Sequence, residues 1–146
     1  MRCKLLNEAT DGQRVFAVVL ETGDEAMASL GAVAWEQRLG AAQITGIGAF
    51  RDAVLAYFDW DDKRYIEMPV DEQVEVASLI GDIGVDDAGE PALHVHLVLG
   101  RRDGSAIAGH LVRAHVRPTL ELLLTESPAH LQRRRDPETG LNLIKL

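Results

Sequence analysis

Three of the five histidines lie within one short stretch, LHVHLVLGRRDGSAIAGHL, which runs from residue 93 to residue 111. His94 and His96 form an H-x-H pair, and His110 closes the stretch. Successive side chains of a β-strand point to opposite faces, so His94 and His96 face the same side of a strand. Imidazole is the commonest protein ligand for metal ions, and this spacing therefore raises the hypothesis of a metal site.

The turn RRDGS decides whether the third histidine joins the other two. Gly104 suits the positive φ required at the end of a three-residue hairpin loop, Arg102–Gly104. The register set by that loop places His96 directly across from His110, with both side chains on one face. A two-residue loop would shift the register by one residue and turn His110 to the opposite face.

Three neutral imidazoles that converge on one point, with a fourth position open, are the ligand set of a catalytic-type zinc site. The same set suits nickel, iron or copper, so the sequence leaves the divalent metal open. The metal hypothesis names His94, His96 and His110 as the ligands. The alternative is that they are polar residues on the solvent face of an amphipathic strand.

No other group of residues forms a comparable pattern. Glu121 alternates with apolar residues in TLELLL, where a carboxylate on a strand beside the hairpin is a candidate general base or hydrogen-bond partner of a metal ligand. An exposed strand residue is the alternative for Glu121. His115 and His130 have no spacing relation to the H-x-H pair. The sequence contains no G-x-S-x-G nucleophile motif.

One helix is predicted near the N-terminus, after a buried strand at Val15–Leu20. Thr22 and Glu25 have the spacing of a capping box, in which each side chain accepts from a free N–H at a helix start. The apolar residues that follow predict an amphipathic helix over Asp24–Leu39, with Gly40 placed to end it in a left-handed conformation.

Most of the remaining sequence is typical of strands. A short strand is expected to run into a glycine-rich turn at Gly46 and Gly48. The connections after it are too short for helical crossovers, so the sheet should be largely antiparallel. The tail is expected to turn at DPETG and to return as a short strand, Leu141–Leu143. The expected strands after the glycine turn are AVLAYF, KRYIEMPV, EQVEVASLIGDI, ALHVHLVLG, AIAGHLVRA and TLELLL.

Composition and length indicate one globular domain over residues 1–146. Of the 146 residues, 47% are hydrophobic and 26% are charged, which is ordinary for a folded domain. No apolar run approaches the ~20 residues that span a membrane, and the N-terminus lacks the apolar core of a signal peptide. The single cysteine, Cys3, forms no internal disulfide, so the cytoplasm is the expected compartment.

The net charge of −8 with neutral histidines argues against nucleic acid as a partner. Lys and Arg that neutralise phosphates supply most of the non-specific affinity for nucleic acids. The densest cationic run, Arg133–Arg135, is interpreted as a solvated surface segment.

The chain resembles the PPC domain, the "plants and prokaryotes conserved" family, over about Val15 to Leu141. The resemblance implies an α+β fold, an antiparallel-rich sheet packed with helices, and a homotrimer. The fold is also similar to that of acetolactate decarboxylase, whose zinc is held by H-x-H and a later histidine. Some bacterial members place a metal at the triad that His94, His96 and His110 match. The segments that carry the resemblance are VFAVVLETGDE, ITGIGAFRDAVLAYFD, LHVHLVLGRRDGSAIAGHL, PTLELLLTE and DPETGL.

Plant members of this family carry an AT-hook ahead of the domain and act as nuclear DNA-binding regulators. This chain has no AT-hook, because RRRDPE is not the R-G-R-P core that lies in an A·T minor groove. DNA is thus a partner by family analogy, and the acidic charge disfavours it. Trp35, Trp60 and the tail LNLIKL are apolar residues beyond one small core, which supports the trimer.

Three functional hypotheses fit these observations. The first is a cytoplasmic PPC-domain homotrimer with a three-histidine site for Zn²⁺ or another divalent transition metal. Its metal either is structural, binds a small oxygen-rich ligand, or polarises a substrate carbonyl as an enzyme's Lewis acid. The second is a regulatory module that binds DNA or a protein partner. The third is a structural trimer with incidental histidines.

Overall fold

The structure is a computed structural model that describes residues 1–145. Over these residues the chain forms one helix and a set of strands, so the fold is mostly β. This corrects the expectation of a sheet packed with helices, because these residues form only one. No helix in the described part of the chain is long and apolar enough to cross a membrane. The elements are β1 (Arg2–Glu8), β2 (Arg14–Glu21), α1 (Ala26–Glu36), β3 (Ala42–Asp59), β4 (Arg64–Val70), β5 (Val74–Val85), β6 (Pro91–Gly100), β7 (Ala106–Glu126), β8 (Gln132–Arg135) and β9 (Asn142–Lys145).

Strand β7 is the centre of the sheet. It pairs with β2, β3 and β6, and β5 pairs with both β3 and β6. The sheet therefore closes on itself through β3, β5, β6 and β7. A parallel bridge joins Val85 of β5 to Gln132 of β8, so the sheet is mixed rather than purely antiparallel. All pairings around the β6–β7 hairpin are antiparallel, as expected.

The sequence predicted a turn at Gly46 and Gly48 and a separate strand at TLELLL, but both segments lie inside long, continuous strands. Gly46 and Gly48 form no turn; they lie within β3, where its register against β5 and β7 shifts. A Cβ atom at Gly48 would lie 2.3 Å from the carbonyl oxygen of Thr119, so the glycine permits a close approach of two backbones at a bulge. The segment TLELLL is likewise the second half of β7 and not a separate strand.

Helix α1 begins and ends differently from the prediction. Glu25 is its N-cap, and the Glu25 carboxylate accepts hydrogen bonds from two N–H groups of the first turn. The Thr22 hydroxyl instead donates to the carbonyl of Pro118 on β7, so no capping box forms. The left-handed residue after the helix is Arg38, with φ of 54°, and not Gly40.

The hydrophobic core lies between α1 and one face of the sheet. Helix α1 buries Leu30 and Val33 at helical spacing, and β6 buries Val95, Leu97 and Leu99 at alternate positions. Burying a large aliphatic side chain contributes about 1.5–3 kcal/mol. Because the apolar residues of β6 must face the core, its histidines are turned to the other face of the sheet.

Replacement of Gly81 by alanine is expected to lower the free energy of unfolding by about 1–3 kcal/mol. A Cβ atom at Gly81 on β5 would lie 2.5 Å from the backbone oxygen of His94 on β6. The matched control is Gly31→Ala in α1, where the new Cβ meets no atom within 4 Å, and a gain of about 0.5–1 kcal/mol is expected. Chemical denaturation measures both changes. An unchanged stability of Gly81→Ala would contradict the close approach of β5 and β6.

Candidate metal centre

The β6–β7 hairpin has the predicted register. Gly104 has φ of 83°, and its N–H donates to the carbonyl of Arg101 at 3.0 Å. The N–H of Arg101 donates to the carbonyl of Ser105 at 2.8 Å, which closes the three-residue loop. His96 is therefore paired with His110 across the two strands, and their placement on one face is confirmed.

The third ring, that of His94, lies beside this pair. The ring centroids of His94 and His96 are 4.8 Å apart, and the His110 centroid lies 5.3 and 5.4 Å from them. One nitrogen of each ring lies within 4.8 Å of the other two. Zinc binds imidazole nitrogens at ~2.0–2.1 Å, so rotations of these side chains would have to bring the three nitrogens closer to bind one ion. The three histidines thus form one cluster.

An aromatic side chain supports the cluster from β4. The ring of Tyr65 stacks on that of His110, with centroids 4.9 Å apart and planes inclined by 26°. Phe58 of β3 packs edge-on against Tyr65 at 5.3 Å. Sequence reasoning missed Tyr65, because the contact exists only through the pairing of β3 with both β4 and β7. The segment KRYIEMPV carries no signal for it.

A groove of about 310 Å³ opens beside His94 and His96. Asp82 on β5 lies directly opposite His94, and Gln43 on β3 lies opposite Asp82. Ile80 and Gly81 complete the lining. The groove therefore places a carboxylate and an amide next to the histidine cluster.

Arg133 lies in a different environment from the one that the sequence predicted. It is 5% exposed, and its guanidinium pairs with the Asp82 carboxylate at 2.6 Å. The interpretation of Arg133–Arg135 as a solvated run is thus wrong for its first member. Strand β8 pairs with β5 at one bridge, and no local pattern of the sequence predicts that contact.

The surroundings of the cluster favour the neutral form of two of its rings. Burial lowers the pKa of His94, and repulsion by Arg133 and His96 lowers it further, against the opposing effect of Asp82. Burial is also the largest cause at His110, and together with His94 and His96 it lowers the pKa from 6.5 to about 4. Metal ligands must be neutral imidazoles, so these shifts prepare the rings for coordination.

A buried nitrogen without a partner also supports the fit of these three histidines to a divalent transition metal. The Nδ1 atom of His110 is buried and has no hydrogen-bond partner among the described residues. Leaving a buried polar group without a partner costs about 1–3 kcal/mol. An ion bound at Nδ1 would give this buried nitrogen the partner that these residues do not provide.

Glu121 lies outside this cluster. It is on β7, as His110 is, but it pairs with Ile47 of β3, whereas His110 pairs with Ala56. The Glu121 carboxylate is not among the groups whose ligand atoms gather with the three histidines, and TLELLL continues β7 away from the hairpin loop.

The other two histidines have local contacts of their own. The Nδ1 atom of His115 lies 2.7 Å from a carboxylate oxygen of Asp52, and this hydrogen bond is the main cause that lowers the pKa of Asp52. His130 packs against the backbone at Gly40. Neither residue belongs to the three-histidine cluster.

Fold and site together define a small β-sheet protein with a three-histidine cluster on the face opposite its core. The sequence profile of the Plants and Prokaryotes Conserved (PCC) domain matches residues 7–128. The chain belongs to this family, which confirms the resemblance to the PPC domain. No curated protein matches the chain.

Solved structures from three organisms share the fold. The metal-containing protein from Archaeoglobus fulgidus is 32% identical, with 90% of this chain and 93% of that chain covered and a TM-score of 0.83. A candidate DNA-binding protein from Bacteroides thetaiotaomicron is 26% identical, with 98% and 96% covered and a TM-score of 0.85. A Staphylococcus aureus protein of unknown function, similar to alpha-acetolactate decarboxylase, is 12% identical, with 81% and 54% covered and a TM-score of 0.58. The last likeness confirms the predicted similarity of fold.

The metal-free protein is expected to lose stability as the pH falls from about 6.5 to about 4. The pKa of His110 is about 4 in the folded chain against an ordinary value of 6.5, so the unfolded state binds more protons in this window. Above a pH of about 6.5, the contribution of His110 to the free energy of unfolding is constant, because its ring is neutral in both the folded and the unfolded state. Thermal unfolding of chelator-treated protein measures the trend, and His110→Gln should reduce it. An identical pH dependence of the variant would contradict the lowered pKa.

Proposed function

We propose that His94, His96 and His110 bind one divalent transition-metal ion, Zn²⁺, in a homotrimeric PCC-domain protein. The observation that carries this proposal is the cluster itself, in which one nitrogen of each ring lies within 4.8 Å of the others. The similarity to the metal-containing protein from Archaeoglobus fulgidus supports it.

The arrangement favours an open metal site over a closed structural one. Three histidines leave a fourth coordination position, and a bound divalent ion would act there as a Lewis acid toward an oxygen ligand such as a carbonyl. The groove beside His94 gives a small oxygen-rich ligand room, and the amide of Gln43 lines it. Tyr65 holds the ring of His110 in place by stacking. We infer a ligand-binding or enzymatic role for the metal.

A homotrimer would cover apolar side chains that a single chain leaves exposed. Ile47, Ile80 and Leu123 are 62%, 58% and 49% exposed, and Trp35 and Trp60 are also exposed. Ile80 pairs with His96, so this apolar surface borders the histidine cluster. Contiguous exposed apolar surface is typical of protein interfaces. We place the protein in the cytoplasm, in keeping with its free, exposed Cys3.

A DNA-binding or protein-binding regulatory module is the second candidate function. The similarity to the candidate DNA-binding protein from Bacteroides thetaiotaomicron favours it. The net charge of −8 opposes it, and several cations are already paired with carboxylates: Arg133 with Asp82, Arg134 with Asp87 and Arg101 with Glu72. Salt-sensitive binding to duplex DNA by the metal-free protein would distinguish this function from the first.

Untagged protein is expected to contain about one metal ion per chain, and His96→Ala should lose it, because two imidazoles bind a divalent ion far more weakly than three. Plasma mass spectrometry measures the content before and after incubation with zinc. His130→Ala is the matched control, since His130 lies outside the cluster, and it should retain the metal. Metal-free wild-type protein after incubation with zinc would contradict the site.

The assembled protein is expected to have the mass of three 16.0 kDa chains, as measured by gel filtration with light scattering. Leu123→Glu should shift it toward single chains, because a buried unpaired carboxylate is costly at an apolar interface. A monomeric wild-type protein would contradict the trimer.

A further inference from the structure

Asp82 is a potential fourth metal ligand beside the three histidines. It pairs with His94 across β5 and β6 and lines the same groove. Opposed side chains of a sheet have Cβ atoms roughly 4.5–5.5 Å apart. A carboxylate oxygen is an ordinary ligand of zinc and related ions. A small movement of Asp82 toward the cluster would fill the fourth position and close the site to other ligands.

The Asp82 carboxylate is held in a different direction by Arg133. The Nη2 atom of Arg133 donates to Oδ1 of Asp82 at 2.6 Å, and Nη1 donates to the carbonyl of Asn142 at 2.7 Å. The side chain of Arg133 also packs along the backbone at Gly84. The guanidinium is thus fixed between β5 and the β8–β9 hairpin, so the carboxylate that it binds is fixed as well.

Burial makes this ion pair effective. Arg133 is 5% exposed, and a charge-assisted hydrogen bond is stronger and shorter than a neutral one. Releasing the carboxylate would leave an unpaired buried guanidinium, which is strongly unfavourable. The Asp82 carboxylate is not one of the groups whose ligand atoms gather with the three histidines. It therefore remains with Arg133 although it lies across from His94.

We propose that Arg133 is a positioning residue that holds the Asp82 carboxylate off the metal and so keeps the fourth coordination position open to a ligand from solution. This inference rests on the proposed metal site. The C-terminal hairpin thereby acquires a role at the site. Strand β8 supplies Arg133, and Asn142, the first residue of β9, supplies the backbone carbonyl that orients the guanidinium.

The test uses Co²⁺ as the metal and azide as a small probe ligand. In the wild-type protein, azide is expected to change the visible spectrum of bound Co²⁺. In Arg133→Met, Asp82 is free to coordinate, so the azide response should disappear. The affinity for Co²⁺ should rise by about 10- to 100-fold, which is the size of effect that residues around the metal ligands typically have on metal affinity.

The double variant Arg133→Met/Asp82→Asn is the matched control. It removes the ion pair together with the competing carboxylate, so it should regain the azide response and the wild-type affinity. Circular dichroism confirms that each variant is folded. If Arg133→Met does not fold, Arg133→Gln replaces it, because its amide still provides a donor for the Asn142 carbonyl without binding Asp82 as an ion pair.

The outcomes separate this inference from the metal site on which it rests. A folded Arg133→Met or Arg133→Gln variant with the wild-type azide response and Co²⁺ affinity would overturn the positioning role and leave the metal site standing. A wild-type protein that binds no Co²⁺ would overturn both. Loss of the azide response in the double variant as well would also refute the role, because it would show that Asp82 is not the group that closes the site.

Discussion

The register of the β6–β7 hairpin is the constraint on which the site depends. Because side chains alternate along a strand, a shift of one residue would move His110 to the core face and leave His94 and His96 without it. The three-residue loop that ends at Gly104 fixes this register, and the apolar alternation of β6 supports it from the core side. Loop and core therefore specify the same arrangement.

The chemistry of the cluster follows from its partial burial. Desolvation is the largest cause that lowers the pKa of both His94 and His110, and it favours the neutral imidazole, which is the form that binds a metal. The carboxylate of Asp82, which lies opposite His94, is paired with Arg133. The histidine cluster thus lies beside an ion pair rather than beside a free carboxylate.

Long, bent strands bring distant parts of the chain to this site. The register shifts in β3 allow it to pair with β4, β5 and β7 along its length. As a result Tyr65 of β4, Asp82 of β5 and Arg133 of β8 all reach the surroundings of the hairpin. Proteins described as metal-containing and as candidate DNA-binding proteins share this fold. In this chain, one strand pair carries the histidines, and residues of the neighbouring strands lie around them.

The sequence by itself determined the hairpin, its register and the gathering of His96 with His110, because a short loop and a period of two are local properties. It also predicted the first buried strand and one helix. Only the tertiary structure decided that Gly46 and Gly48 lie in a bulge, that TLELLL continues β7 away from the site, and that Arg133 is buried against Asp82. Those features depend on which strands meet across the sheet, and such pairings between residues far apart in the chain leave no periodic signal in the sequence.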